Sequence, residues 1–110
     1  MIPRRSFLYW ANLDKWRPAL VLSPDYRNEH ASDLIVVPCS TKVRAAPTHV
    51  ILRRGEGGVA SASVLKCEQI ATLPKSELRS APLGRALSRE RMQAVERAVL
   101  RAIGVPVPQE

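Results

Sequence analysis

An arginine directly before a proline opens the apolar stretch Arg17-Pro18-Ala19-Leu20-Val21-Leu22. Proline fixes its own φ and disfavours the helical region for the residue before it, so Arg17 is predicted to be extended. The following apolar residues predict a buried strand, which places the guanidinium where the strand emerges from the core. A phosphate could meet the cation there. In the alternative interpretation, Arg17 forms an ion pair with Asp14 or Glu68.

Further polar residues that could act on a phosphate follow two other predicted strands. Ser40 and Thr41 come after the β-branched run at residues 34–37, and a hydroxyl there can hold a phosphate oxygen or cap the strand end. A strand over residues 63–69 has a period of two, which would place Lys66 and Glu68 on one face. A carboxylate and a cation could then act on one substrate. Alternatively, they form a surface pair of little energetic value.

The charge of the chain favours a polyanionic partner. Seventeen Lys and Arg residues against ten Asp and Glu residues give a net charge of +7. Nucleic acid is the first candidate, although an acidic protein would satisfy the same surface. The few aromatic residues all lie at or before Tyr26, so an extended base-stacking sheet is not expected.

The cysteines and histidines do not have the spacing of a metal or redox site. Cys39 and Cys67 lie far apart and are predicted to be buried, and His30 and His49 are isolated. Chemistry without a metal or cofactor is therefore expected. The longest apolar runs are far below the roughly 20 residues that span a bilayer. The first residues also lack the apolar region of a signal peptide, so one cytoplasmic domain over residues 1–110 is expected.

The hydrophobic pattern predicts five or six short strands followed by one helix. Residues 25–33 are a predicted loop with room for one helical turn, and residues 55–58 are a predicted flexible loop. Residues 73–87 are predicted to be irregular apart from a short strand at 83–87. Ser88 can cap a helix that carries a stripe of apolar residues at helical spacing and ends before Gly104. This order points to a small barrel or strongly bent sheet. The strands are predicted at residues 7–13, 17–22, 34–37, 48–52 and 63–69, with a hairpin turn at 14–16. The apolar stripe of the helix consists of Met92, Val95, Val99 and Ile103.

The order of these segments resembles the MazF/PemK (Kid) family of ribosome-independent ribonuclease toxins. The resemblance implies a mainly β fold with helices, an SH3-like small barrel of the MazF/PemK/CcdB type with a C-terminal α-helix. It also implies a homodimer and a cognate antitoxin whose acidic tail occupies the RNA groove. The residues that carry the resemblance are Arg5 with the strand to Leu13, RPALVLSP (17–24), IVVPCSTK (35–42), PTHV (47–50), SVLKCEQIAT (63–72) and LGR (83–85).

The family implies an mRNA interferase, a sequence-selective and metal-independent endoribonuclease that cuts single-stranded RNA. Attack by the 2′-hydroxyl would leave a 2′,3′-cyclic phosphate and a 5′-hydroxyl, which requires a base, positive charge on the phosphorane and an acid. Arg17 matches the arginine before proline, and Ser40 falls where many members have a threonine. Glu68 lies in a stretch that resembles the Arg-Cys-Asp-Gln of the Kid branch, whose acidic residue is regarded as the base. The expected substrate-binding residues are Trp16, Thr41, Lys42, Arg44, Lys66 and Gln69.

Residues 14–16 form a shorter loop than in many members, where this loop covers the groove and helps to choose the RNA sequence. Trp16 either stacks on a base or packs over its own strands. Two other functions stay open. One is a non-catalytic CcdB-like toxin that binds a protein such as gyrase through the C-terminal helix end, although residues 104–110 lack a Trp-Gly-Ile-like tip. The other is an inactive RNA-binding relative.

Overall fold

The computed structural model describes residues 2–108. It contains seven strands and two α-helices, and three short 3-10 turns lie at Glu56–Gly58, Cys67–Gln69 and Lys75–Glu77. The predicted mainly β fold with a C-terminal helix is confirmed. The elements are β1 Leu8–Asn12, β2 Trp16–Val21, α1 Asp25–His30, β3 Asp33–Ser40, β4 His49–Leu52, β5 Ser63–Lys66, β6 Ala71–Pro74, β7 Leu78–Pro82 and α2 Arg89–Ala102.

The strands form one antiparallel sheet in the order β4-β5-β3-β2-β1-β7, and β6 also pairs with β3. The predicted hairpin is confirmed, because β1 pairs with β2 from Leu8↔Leu20 to Asn12↔Trp16. Within residues 2–108 no ladder joins β4 to β7, so the sheet is not closed into a barrel by hydrogen bonds.

The sheet buries apolar side chains on both faces, as the continuous apolar run of β3 predicts. On one face, Leu8, Leu20 and Val37 pack with the buried stripe of α2. On the other face, a second core is formed by residues such as Val21 and Val36. The alternation of side chains along each strand explains this division. The second core consists of Tyr9, Ala11, Ala19, Val21, Leu34, Val36, Leu73 and Leu78.

Helix α2 begins as predicted, since the Ser88 hydroxyl accepts a hydrogen bond of 3.1 Å from the amide of Arg91. Met92 and Val95 are buried. Ile103 lies beyond the last helical residue and is exposed, so the prediction that it belongs to the buried apolar stripe was wrong. This helix has 14 residues. No helix within residues 2–108 is long and apolar enough to cross a membrane.

The region at residues 73–87 differs from the prediction. It contains β6 and β7, whereas residues 83–87 form a loop and not the predicted strand. Pro74 and Pro82 each stand at the last position of a strand, where the missing N–H removes no interior hydrogen bond of the ladder. The prolines therefore end these strands and do not prevent them. Residues 25–33, predicted as a loop with room for one helical turn, include the six-residue helix α1.

The loop at residues 55–58, which was predicted to be flexible, contains a 3-10 turn anchored to α2. The Glu56 carboxylate accepts hydrogen bonds from Arg91 Nε at 2.9 Å and Nη2 at 3.0 Å, and from the Arg53 amide at 2.8 Å. The bonds from Arg91 are the main reason why the pKa of Glu56 is lowered. This bidentate pair fixes the turn against the helix.

Both cysteines are free and buried, as predicted. Burial raises the pKa of Cys39, and it raises the pKa of Cys67 to about 12, with a further increase from the nearby Glu68 charge. Both thiols are therefore protonated at neutral pH and belong to the core.

Candidate active site

A gap opens between β2 and β3 beside Arg17. The ladder between these strands runs from Val21↔Val36 to Ala19↔Pro38 and ends there. Pro18 has no N–H, so it cannot donate the next hydrogen bond that would extend the ladder toward Arg17. This missing donor contributes to the separation of the strands at that point.

The Arg17 side chain crosses this gap and is 19% exposed. Its Nη2 lies 2.8 Å from Asp14 Oδ2, and its Nη1 makes a long contact of 3.5 Å with the carbonyl of Cys39. The structure thus contains the Asp14 ion pair that the sequence offered as an alternative. A guanidinium has more N–H donors than these two contacts use, so the pair leaves donors for a phosphate.

Asp14 brings a carboxylate to the same place. Burial raises its pKa, but the charge of Arg17 and a hydrogen bond from the Lys15 amide outweigh that effect, so the pKa of Asp14 is lowered overall. The carboxylate is therefore ionised at neutral pH. It is also largely exposed, with 71% of its side-chain surface accessible, and a substrate could reach it.

A cavity of about 340 Å³ lies at the gap, and we call it the cationic cavity. Lysine and arginine side chains from the β1–β2 turn, the β3 end and β5 converge on it, so it suits an anion. Predicted site residues that line it are Trp16, Arg17, Ser40, Thr41, Lys42 and Lys66, and its other lining residues are Trp10, Lys15, Pro18 and Cys39.

Ser40 ends β3 at the wall of the cationic cavity. Its Oγ accepts a hydrogen bond of 3.1 Å from the amide of Lys42, so the hydroxyl caps the strand end. The hydroxyl hydrogen can still be donated, because this bond uses only an oxygen lone pair. Both roles considered from the sequence are therefore compatible. Thr41, the next residue, is exposed at the same wall.

A second cavity of about 420 Å³ adjoins the first, and the two share Arg17 and Lys66. Asp14 and Gln69 line this second cavity, so the predicted site residue Gln69 lies next to the cationic cavity. Its remaining lining residues are Leu13, Pro38 and Ala71.

Glu68 does not share a strand face with Lys66, which corrects the prediction. Strand β5 ends at Lys66, and Cys67–Gln69 form a 3-10 turn, so the period of two no longer applies. Glu68 Oε1 accepts a hydrogen bond of 3.0 Å from Thr48 Oγ1, and Oε2 lies 3.2 Å from His49 Nε2. Burial raises the pKa of Glu68, but hydrogen bonds from its own amide and these two side chains lower it overall.

Arg44 lies on the loop between β3 and β4, apart from the gap. Its carbonyl oxygen is 2.8 Å from Nδ1 of His49, the histidine that contacts Glu68. The His49 side chain is almost fully buried, so it links this loop to the turn at Cys67–Gln69. These contacts give His49 a structural role.

Sequence reasoning missed two residues near the gap, Trp10 and Arg79. The Arg79 guanidinium lies 4.5 Å from the ring centroid of Trp16, so a cation from β7 occupies one face of that indole. Trp10 lines the cationic cavity and is 45% exposed. The alternation of β1 was a usable signal for Trp10, but no sequence pattern placed β7 beside it.

Comparisons with known proteins agree with the resemblance read from the sequence. A family model described as PemK-like, MazF-like toxin of type II toxin-antitoxin system matches residues 4–103. The protein Endoribonuclease MazF3 from Mycobacterium tuberculosis is 32% identical over 71 residues, which cover 64% of this chain and 68% of that protein.

Solved structures of toxins share the fold over nearly their whole length. The Mycobacterium tuberculosis toxin MazF-mt6 is 28% identical with a TM-score of 0.82, and the match covers 91% of this chain and 98% of that one. A mycobacterial endoribonuclease in complex with its cognate antitoxin is 29% identical with a TM-score of 0.83, covering 96% and 99%. This chain therefore belongs to the PemK-like, MazF-like toxin family of type II toxin-antitoxin systems.

Proposed function

We propose that this chain is an endoribonuclease toxin that cuts single-stranded RNA selectively, without a metal ion, and is neutralised by a cognate antitoxin. The observation that carries the proposal is the gap between β2 and β3, where Arg17 and Lys66 line two adjoining cavities. The Ser40 hydroxyl lies in one of these cavities and the Asp14 carboxylate in the other. The name of the related MazF3 protein, an endoribonuclease, supports the same activity.

Positive charge is the first requirement of the reaction. Attack of the 2′-oxygen on phosphorus increases the negative charge on the phosphate oxygens, and fixed cations that face this charge lower the barrier. Arg17 is the best placed group, because its partly buried guanidinium spans the gap. Ser40 adds a hydroxyl donor to a phosphate oxygen, and Lys42 adds charge at the same wall.

A proton acceptor is the second requirement. Sequence reasoning assigns this role to Glu68, which remains a prediction. Both Glu68 oxygens already lie within hydrogen-bond distance of Thr48 and His49, whereas the ionised and exposed Asp14 carboxylate lines a cavity with Arg17. We assign the role of proton acceptor to Asp14. Glu68 is then a positioning residue, which holds the loop between β3 and β4 in place through His49.

The reaction then balances with groups at the gap. The 2′-hydroxyl proton passes to Asp14, a bond forms between the 2′-oxygen and phosphorus, and the bond from phosphorus to the 5′-oxygen breaks. Lys66, which lines both cavities, gives a proton to the leaving 5′-oxygen. The products are a 2′,3′-cyclic phosphate and a 5′-hydroxyl.

The cations at the gap would also attract an acidic protein segment. We propose that the cognate antitoxin places such a segment in the cationic cavity and thereby blocks RNA. The solved mycobacterial endoribonuclease bound to its antitoxin supports this type of partner. We also propose that the toxin acts as a homodimer.

The function is tested by incubating the purified protein with a pool of single-stranded RNAs in the presence of EDTA. We expect cleavage at a limited set of sequences, with a 2′,3′-cyclic phosphate on one fragment and a 5′-hydroxyl on the other. Mass spectrometry of the fragments identifies both ends. Intact RNA across the whole pool, with the folded protein present, would contradict the proposal and favour a CcdB-like toxin or an inactive relative.

The proton acceptor is tested by comparing Asp14→Asn with Glu68→Gln. Loss of a general base typically lowers the rate by 10²–10⁴-fold, and we expect about 10² for Asp14→Asn because water can replace an exposed base in part. For Glu68→Gln we expect the rate to fall by less than about ten-fold, because a glutamine can keep the contacts with Thr48 and His49 that position the 3-10 turn. Single-turnover rates as a function of pH provide the measurement. The rate of the unmodified protein should fall only as the pH drops through the lowered pKa of Asp14, and Asp14→Asn should lack this decrease. A greater loss with Glu68→Gln would return the role to Glu68.

A further inference from the structure

A third cavity of about 520 Å³ shares a wall with the cationic cavity, and we call it the apolar cavity. Trp10, Pro18, Cys39, Ser40 and Thr41 line both. Its other walls come from the end of the 3-10 turn at Glu56–Gly58, the loop that follows this turn, the first residue of β5, and β7 with the residue after it. These residues are Gly58, Val59, Ala60, Ser61, Ser63, Arg79, Ala81, Pro82 and Leu83.

The position of Trp10 on the sheet explains why an apolar surface is open here. Leu8 and Leu20 pair across β1 and β2 and are fully buried in the core beneath α2. Two residues further along the same face, Trp10 pairs with Pro18 and is 45% exposed. The apolar face of the sheet therefore continues beyond the region that α2 covers.

Arg79 adds a cation at the edge of this surface. Its guanidinium lies over the ring of Trp16 at 4.5 Å from the centroid, and the residue also lines the apolar cavity. The contact with Trp16 restricts the arginine, so its remaining N–H donors are held near the cavity.

We propose that the apolar cavity binds one unstacked base of the RNA, adjacent to the phosphate that is cut. The indole of Trp10 is the stacking surface, and Arg79 donates hydrogen bonds to acceptor atoms on the edge of the base. This inference rests on the proposed function. It deepens that function by assigning residues that determine the sequence preference.

The adjacency of the two cavities favours a nucleotide as the occupant. A nucleotide joins an anionic phosphate to a planar apolar base, and the shared wall places a cationic site directly beside an apolar one. Single-stranded RNA is commonly recognised by stacking of splayed bases on aromatic side chains, together with hydrogen bonds to their edges. Residues 13–15, which join β1 to β2, include no aromatic side chain, whereas β1 supplies the indole of Trp10 and β7 supplies the cation of Arg79.

The test compares Trp10→Leu with Trp10→Phe on a randomised single-stranded RNA library and on the best single substrate. Leucine keeps apolar bulk but removes the aromatic face, so we expect KM to rise about ten-fold with kcat within about two-fold, and the preference at one position to be lost. Trp10→Phe should bring the KM and the sequence preference most of the way back to those of the unmodified protein. Tyr26→Leu is the matched control, because Tyr26 is an aromatic residue on α1 that is 73% exposed. It should leave the KM and the preference unchanged.

A second variant keeps the proposal testable if Trp10→Leu fails to fold. Arg79 is exposed, and Arg79→Gln should weaken the preference at the same position, whereas Arg101→Gln in the last turn of α2 should not. If the unmodified protein cuts with a clear preference that neither Trp10→Leu nor Arg79→Gln alters, the base site is refuted while the endoribonuclease function stands. A change in the sedimentation of Trp10→Leu with an unaltered preference would also refute it and assign the cavity to a contact between copies. If the unmodified protein cuts no RNA, the proposed function fails, and this inference fails with it.

Discussion

Replacing Arg17 with alanine should lower the rate of RNA cleavage by about 10³-fold without unfolding the protein. The guanidinium spans the gap between β2 and β3 and is partly buried. Its removal takes away both the charge that faces the phosphorane and the partner that positions Asp14. Single-turnover cleavage of one defined RNA measures the effect, and circular dichroism with a thermal melt checks the fold.

Arg27→Ala is the matched control for Arg17→Ala. Arg27 also forms an ion pair, with Asp33 at 2.5 Å. The Nε atoms of Arg17 and Arg27 are both buried without a hydrogen-bond partner within the described part of the chain. The substitution removes the same charge, but Arg27 lies on α1 and its partner Asp33 begins β3, away from the gap. We therefore expect less than about three-fold change in rate. Equal losses in the two variants would mean that net charge, and not the position of Arg17, drives cleavage. Arg17→Lys should recover only part of the rate, because an ammonium cannot bind a phosphate in a bidentate way.

Replacing Gly58 with alanine should destabilise the fold by about 3–5 kcal/mol, the largest stability effect that we expect from a single added methyl group. Gly58 has a φ of +94°, which L-residues with a side chain rarely adopt. A Cβ atom there would lie 2.5 Å from the Leu83 carbonyl oxygen and 2.7 Å from the Gly84 nitrogen. These are backbone atoms, so the chain itself would have to move. Urea denaturation gives the free energy of unfolding for both proteins.

Gly55→Ala separates backbone strain from the steric clash. Gly55 has nearly the same φ, +93°, but an added Cβ would have no heavy atom within 4 Å among the described residues. We expect a loss of about 1–2 kcal/mol, which is the cost of the left-handed conformation alone. If the two variants lose the same free energy of unfolding, the close approach of Gly58 to Leu83 and Gly84 does not contribute to the loss of stability. Since Gly58 and Leu83 both line the apolar cavity, Gly58→Ala should also weaken the base preference if the protein stays folded.

The site depends on where two strands stop pairing. The sequence indicated that Pro18 holds Arg17 extended. In the structure Arg17 is indeed a residue of strand β2, and it lies just beyond the end of the ladder between β2 and β3. It gave no sign that Pro38 stands opposite Ala19, because register depends on contacts between segments that are far apart in sequence. The gap, and hence the cationic cavity, follows from that register.

Features that arise from local periodicity and local sterics could be predicted from the sequence. These include the β1–β2 hairpin, the buried run of β3, the cap of α2 at Ser88 and the extended Arg17. Hydrophobic alternation and the φ restriction of proline act over a few residues, so they can be read directly. The ordered motifs also indicated the toxin family, which the family model over residues 4–103 confirms.

The tertiary structure alone decided which side chains meet. The 3-10 turn at Cys67–Gln69 directs Glu68 to Thr48 and His49, because strand alternation ends at Lys66. The pairing of β7 with β1 brings Arg79 to Trp16 and encloses the apolar cavity. Local patterns define the strands, whereas long-range pairing and the closure of loops define the cavities between them, and no short window of sequence contains that information.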